Sequence, residues 1–356
     1  MKNSILVLLL RSFAFLPLSL SRALGRSVGR IIYACKLTPV HIARINLRLC
    51  YPQLSETAIE ELCKQRMLQL GQAFFETPRV WSSSTAWLKT KILSVEGMDL
   101  LQQSLADDPG TLLIIPHHGN WEVIGLWLSP QTKMTSLYEP PKIAPLGDWI
   151  KSSREKSGAK LVPTDVRGVA GLVKALKRGE TTAILPDQQP GPNSGIVVPF
   201  MGVPVPTMTL VTNLLNRSGS RALLATALRE PGGWRLHFLP VSQGLYSEDQ
   251  FTAVSALNDD VAKIVALAPE QYQWEYKRFR VQPDGRKIYA KDPIGDGKIQ
   301  FFVDGKEIAW VNAIDEADPK LSFASSYPYL VRSVALHEGK NRFEIKLDGV
   351  RVWRAT

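Results

Sequence analysis

The sequence predicts an α/β protein: a mixed, largely parallel sheet flanked by helices, with an N-terminal membrane-associated helix and a small C-terminal β-hairpin module. Three observations carry that prediction. Two short continuous apolar runs, TLLIIP at 111–116 and TTAILP at 181–186, have the length and content of strands buried on both faces of a parallel sheet. Segments of helical periodicity alternate with such runs, which is the α/β order. Near residue 290 the pattern changes to two alternating segments, each broken by Asp-Gly (Asp304-Gly305 and Asp348-Gly349), the short-range mark of a hairpin.

The chain begins basic and apolar. Its first 50 residues hold eight Lys or Arg and no Asp or Glu. Such an end suits anionic lipid, nucleic acid, an acidic protein or plain solubility, and its apolar company favours a membrane. The run SILVLLLRSFAFLPLSL at 4–20 is interrupted by Arg11 and Pro17. It falls short of the ~20 nearly uncharged residues of a span, so an interfacial or tilted anchor is expected. SRALG has the look of a leader cleavage site, but an amphipathic helix follows, with Arg22, Arg26 and Arg30 on one face and Leu24, Val28, Ile31 and Ile32 roughly opposite. The expectation is an uncleaved anchor on the cytoplasmic side of a membrane. Gly25 and Gly29 have the spacing of a helix-packing motif. Three regions follow: an anchor with its amphipathic helix at 1–35, the α/β domain at 36–290, and the β module at 291–356.

Within the α/β domain, SETAIEE opens a helix running from about 55 to 81, with Ser55 as its cap. Residues 97–110 read as a helix and turn, followed by the 111–116 strand and a helix from about Asn120. GVAGLVKALKRGE at 168–180 is an amphipathic helix leading into the 181–186 strand and the polar loop DQQPGPNSG. In IVVPFMGVPVPT the prolines are expected to break any regular element. RALLATAL and GWRLHFLP read as strands, and 258–280 as a helix with an aromatic, basic end in which Lys277, Arg278 and Arg280 either touch an acidic or phosphorylated partner or form a membrane-side fringe. From Asp292 onward Lys and Arg number 9 against 10 Asp and Glu, so the net charge of +10 belongs to the preceding part. Three cysteines without metal or CxxC spacing read as reduced.

The chemistry concentrates in HHGNWE at 117–122, where a strand ends and a helix begins. In open α/β sheets sites are built at this carboxyl edge. Three readings are open. Two histidines satisfied at a helix start would be structural. Zinc on His117, His118 and Glu122 is a second, although adjacent strand residues alternate faces and no further ligand stands nearby. The third is catalytic: His117 as base, with Glu122 in the first helical turn fixing its tautomer and Gly119 allowing the sharp turn.

These residues resemble the H-x4-D/E motif of the lysophospholipid acyltransferase-like superfamily. The wider chain resembles the lipid A biosynthesis acyltransferases of the late lauroyl and myristoyl group. The resemblance runs over about residues 1–290 through INLRLCYPQL, FFETPRVW (with Glu76), VEGMDLLQQSL, YEPPK, IKSSREKSGAKLVP, ALKRGETTAILPDQQ, VPFMGVPVPT and PEQYQWEYKRFR. The β tail lies outside it. The resemblance implies a glycerolphosphate-acyltransferase-like fold at the cytoplasmic face of a bacterial inner membrane. It implies transfer of a fatty acyl chain from acyl carrier protein to a hydroxyl of a lipid A precursor, with no cofactor, metal or nucleic acid. His117 would be the general base and Glu122 its partner, and Arg154, Asp187 and, more weakly matched, Arg167 would bind substrate. From the residues alone, Arg154 suits a phosphate, and Asp187 suits a role holding that arginine or capping a helix. An oxyanion would be met by backbone N–H groups near Gly119 or by an arginine. Other acceptors, such as a phosphatidylinositol mannoside, a zinc-dependent hydrolase, and a non-enzymatic membrane-binding module remain the alternatives.

Overall fold

The computed structural model describes residues 2–106, 108–191, 194–283, 288–289 and four strands between 298 and 355. The chain divides into two compact units, 1–289 and 290–356. The first unit opens with α1 (Lys2–Phe13), α2 (Leu18–Ala34), α3 (Thr38–Cys50), α4 (Glu56–Ser82) and α5 (Thr85–Lys89). Then come β1 (Ile92–Glu96), α6 (Met98–Ala106), β2 (Thr111–Ile114), α7 (Trp121–Leu128), β3 (Met134–Tyr138), α8 (Ala144–Lys156), β4 (Lys160–Pro163), α9 (Val166–Lys177) and β5 (Thr181–Ile184). The ribbon β6 (Gly195–Phe200) and β7 (Val203–Met208), α10 (Leu210–Ser218), β8 (Arg221–Glu230), β9 (Gly233–Pro240) and α11 (Gln250–Val265) complete it.

Seven strands form one sheet in the order β1-β9-β8-β2-β5-β3-β4, parallel throughout except for the β8–β9 pair. Strand β2 lies at its centre and is buried along its whole length. Its side chains alternate between two cores, as a strand requires. Leu112 and Ile114 face the layer of α3, α9, α10 and α11, while Leu113 and Ile115 face the layer of α6 and α7. A truncation such as Leu113→Ala in so closed a setting costs about 2–5 kcal/mol.

Helix α4 starts where its cap predicts, with Ser55 Oγ accepting from the Ala58 N–H at 3.3 Å. It carries α2 across its back through glycines. A Cβ on Gly71 would stand 2.0 Å from the Gly25 carbonyl oxygen, and one on Gly29 would stand 2.3 Å from that of Met67. The buried face of α2 is Leu18, Ser21, Arg22, Gly25 and Gly29. Arg22 is therefore not on an outer basic face. It is drawn into the protein by Glu76, while Leu20, Leu24 and Ile31 are large apolar side chains left exposed. Among the described residues no helix is long and apolar enough to cross a membrane.

Two further expectations are corrected. The prolines of 195–208 do not break regular structure: β6 and β7 pair antiparallel, with Pro199 opposite Pro204 and Pro206 opposite Val197. A two-stranded ribbon tolerates them because prolines can occupy positions whose N–H would point away from the partner. Met201 and Gly202, both at positive φ, make its two-residue turn. Helix α11 begins at Gln250, eight residues before Asn258. Asp249 caps it by accepting from the Thr252 N–H, and it ends at Val265. In the second unit, β10 (Lys298–Val303), β11 (Lys306–Asn312), β12 (Phe343–Leu347) and β13 (Val350–Ala355) form an antiparallel sheet in the order β11-β10-β12-β13. The Asp304-Gly305 and Asp348-Gly349 turns lie outside the described residues.

Candidate active site

His117 and Asp187 meet because β2 and β5 are parallel neighbours. Their register pairs Thr111 with Thr181 and Ile114 with Ile184, a constant offset of 70 residues. Each strand then runs through an aliphatic residue and a proline into a polar residue, and the same offset sets His117 beside Asp187. The contact is double. Asp187 Oδ2 accepts from the His117 backbone N–H at 2.8 Å, and Oδ1 accepts from Nδ1 at 2.8 Å. With Nδ1 as the donor, Nε2 is left as the basic nitrogen. It accepts from the Gln188 side-chain amide at 3.2 Å. Burial raises the Asp187 carboxyl, but the His117 ring, its hydrogen bonds and the Arg278 charge outweigh that effect and hold it below the usual carboxylate range.

His118 faces the other way, as the strand alternation demands. It is fully buried beside Tyr272, and its Nε2–H donates to the Ala268 carbonyl at 2.8 Å. Burial pushes its pKa down to about 4, a neutral structural histidine. Gly119 makes the turn between strand and helix at φ +64°, and a Cβ there would lie 2.1 Å from the Ala227 oxygen.

Glu122 does not touch His117 as the spacing predicts. It forms a two-pronged pair with Arg154, Nη2 to Oε1 at 2.6 Å and Nε to Oε2 at 3.1 Å. Burial opposes the Arg154 charge, and the Glu122 carboxylate more than restores it, so its pKa is raised. The expected partners are thus exchanged: Asp187 orients the histidine and Glu122 holds the arginine. The reason is geometric, since the first turn of α7 carries Glu122 toward α8 rather than back over the strand end. Arg167 lies exposed in the first turn of α9, in no ion pair among the described residues. His117, His118 and Glu122 do not converge, and no group of three or more His, Cys, Asp or Glu among the described residues is placed to hold a metal.

The backbone around Gly119 is also spoken for. The N–H groups of His118, Gly119 and Asn120 donate to Pro116, Gln271 and Ala227, and that of His117 to Asp187. Of the two sources expected for an oxyanion donor, these amides are occupied and the arginine remains.

Other buried charged residues support this edge of the sheet. Arg278 is no surface fringe. It is buried, donates to the Asp187 carbonyl and to Asn258 Oδ1, and lies over the Phe200 ring at 4.1 Å. Glu76 is wholly buried between Arg22 at 2.7 Å and Arg229 at 2.5 Å and accepts from the Asn120 amide at 2.9 Å. Two guanidiniums outweigh its burial and keep it ionised. Arg229 also donates to the Gly119 carbonyl at 2.9 Å, so this network fixes the loop that presents His117. In the sequence, the only signal was charged residues set within apolar stretches, LLATALRE and QAFFETP. A cavity of about 80 Å³ adjoins Glu122 and Arg154, walled by Trp121, Leu126, Met134 and Leu161, with Gly125 facing open space. Trp127 is not part of it and packs on Phe238.

A histidine oriented by a carboxylate, an arginine–glutamate pair and an apolar recess with room for an aliphatic group lie at the carboxyl edge of a largely parallel sheet, where α/β sites are built. The sequence pattern described as bacterial lipid A biosynthesis acyltransferase matches residues 2–281. The chain is 30% identical over 274 residues to the lipid A biosynthesis palmitoleoyltransferase of Escherichia coli K12, covering 76% of this chain and 88% of that protein. It is 29% identical over 277 residues to the lauroyltransferase of the same strain, with the same coverage. It is 21% identical over 266 residues to the myristoyltransferase, covering 74% and 80%. The chain belongs to the bacterial lipid A biosynthesis acyltransferase family and is an acyltransferase.

Proposed function

We propose that the protein transfers a fatty acyl chain from acyl carrier protein to a hydroxyl of a lipid A precursor at the cytoplasmic face of the inner membrane. The observation that carries this reading is the His117–Asp187 pair. Nδ1–H is fixed on the carboxylate, so Nε2 is free to take the proton of an acceptor hydroxyl once Gln188 gives way. The hydroxyl oxygen attacks the thioester carbonyl directly, the thiolate of the carrier's prosthetic arm leaves, and the imidazolium returns the proton to it. Asp187 stabilises the transient imidazolium. Arg154, held by Glu122, stands beside the apolar recess and stabilises the oxyanion. The recess takes the start of the acyl chain. At about 80 Å³ it is smaller than the ~150 Å³ cavity that admits benzene, so its walls separate as a long chain enters.

The lipid A acceptor is supported by the names of the relatives, and the carrier-protein donor by the basic surface, which suits an acidic partner. The test is transfer from acyl carrier protein thioesters to a tetra-acylated lipid A precursor, with a phosphatidylinositol mannoside offered in parallel. Transfer to the lipid A precursor alone is expected. Transfer only to the mannoside would move the protein to another acceptor on the same fold.

A further inference from the structure

We propose that the chain carries a second ligand site, a cationic cavity at the corner between α1 and α2 that seats the phosphate of an anionic lipid headgroup. The cavity measures about 290 Å³, and Leu18, Ser19, Arg22, Arg79, Trp87 and Lys91 line it. At ~30 Å³ per water, a phosphate fits with room to spare. Three cations and no carboxylate face it. Arg22 shares the Glu76 carboxylate with Arg229, while Arg79 and Lys91 form no ion pair among the described residues.

Arg79 is held ready for an anion. One guanidinium N–H donates to the Ala14 carbonyl at 2.8 Å, and the group lies 4.8 Å over the Trp87 ring. The guanidinium N–H groups on the cavity side are then placed to meet a phosphate oxygen with charge-assisted bonds. Lys91 supplies a second charge. Leu18 and Ser19, in the first turn of α2, add N–H groups that Pro17 leaves without a side-chain cap.

The neighbouring surface selects a lipid over other phosphates. Phe15 is 85% exposed and Leu20 45%, on either side of the lining residues in sequence, and Leu8 and Leu9 on α1 are 69% and 58% exposed. A cationic seat beside bare apolar side chains matches a ligand with a phosphate at one end and hydrocarbon at the other. The inference rests on the membrane association proposed above and names the headgroup chemistry and its place.

The test is flotation of the full-length protein with phosphatidylcholine vesicles containing either phosphatidic acid or oleate at matched surface potential. Wild type is expected to prefer phosphatidic acid roughly tenfold, the scale of a hydrogen bond to a charged group. Lys91→Gln and Arg79→Gln should each erase the preference, while Arg30→Gln, exposed on α2, should keep it. Lys91→Gln carries the test if Arg79→Gln, which loses the Ala14 contact, fails to fold. Equal binding to both vesicles, or equal loss in Arg30→Gln, would show diffuse attraction and overturn the site. Lys91-dependent binding of inorganic phosphate without a vesicle preference would assign the cavity to free phosphate and overturn the headgroup. Acyl transfer to detergent-dispersed acceptor, run alongside, fails only if the catalytic reading is wrong.

Discussion

His117 and His118 are adjacent in sequence and opposite in fate. The strand alternation that sends Leu113 and Ile115 to one core and Ile114 to the other sends one imidazole to the active-site edge and its neighbour into the interior. That difference gives a pH prediction for His118. Its folded pKa of about 4 lies below the unfolded value of 6.5. Between those values the unfolded chain binds a proton that the folded chain does not, so stability falls as pH drops through this window, by up to about 3 kcal/mol. Denaturant unfolding at pH 7 and pH 5 is expected to show the loss, and His118→Gln to flatten it; an unchanged slope in the variant would place the titration elsewhere. At Gly125 the open space beside α7 offers a different probe. Gly125→Met should fill the recess and shift preference toward shorter acyl thioesters, read as a change in kcat/KM ratio between chain lengths.

At the scale of elements, close backbone contact ties α2 to α4. Gly71→Ala would drive a Cβ against the Gly25 carbonyl. The expected cost is about 1–3 kcal/mol, typical of overpacking, seen as a lower denaturation midpoint; an unchanged midpoint would mean that the helices separate freely. The strands carrying the site were legible as continuous apolar runs, and His117 was legible as the residue where one of them ends. Its partner was not. Asp187 is 70 residues away, and only the adjacency of β2 and β5 brings it close. A clue was present in the matching ends IIPH and ILPD, which in-register parallel strands would align. Glu122 is nearer in sequence and stands at the acidic position of the H-x4-D/E pattern, but the first turn of α7 carries it to Arg154 instead. Charged residues inside apolar segments, Glu76 and Arg229 above all, carry no mark in the sequence of the partner each finds in the interior.

Across the whole first unit, one buried network links α2 to the loop that follows His117. Arg22 on α2 holds Glu76 on α4, which holds Arg229 on β8, whose guanidinium reaches the Gly119 carbonyl. Helix α2, with its exposed apolar side chains, lies at one end of that chain of contacts and the loop after His117 at the other, so the surface proposed to meet lipid and the site proposed to acylate it are joined through one network. The assignment of the base decides the mechanism. Single-turnover acyl transfer from acyl carrier protein to the lipid A precursor, compared between wild type, His117→Ala and Asp187→Asn, examines it most directly. Loss of ~100-fold or more is expected in both variants, the scale of removed general-base catalysis, with no acyl-enzyme trapped in the wild type. Transfer that survives both substitutions in folded protein, or a covalent acyl-enzyme formed during turnover, would contradict the His117–Asp187 mechanism.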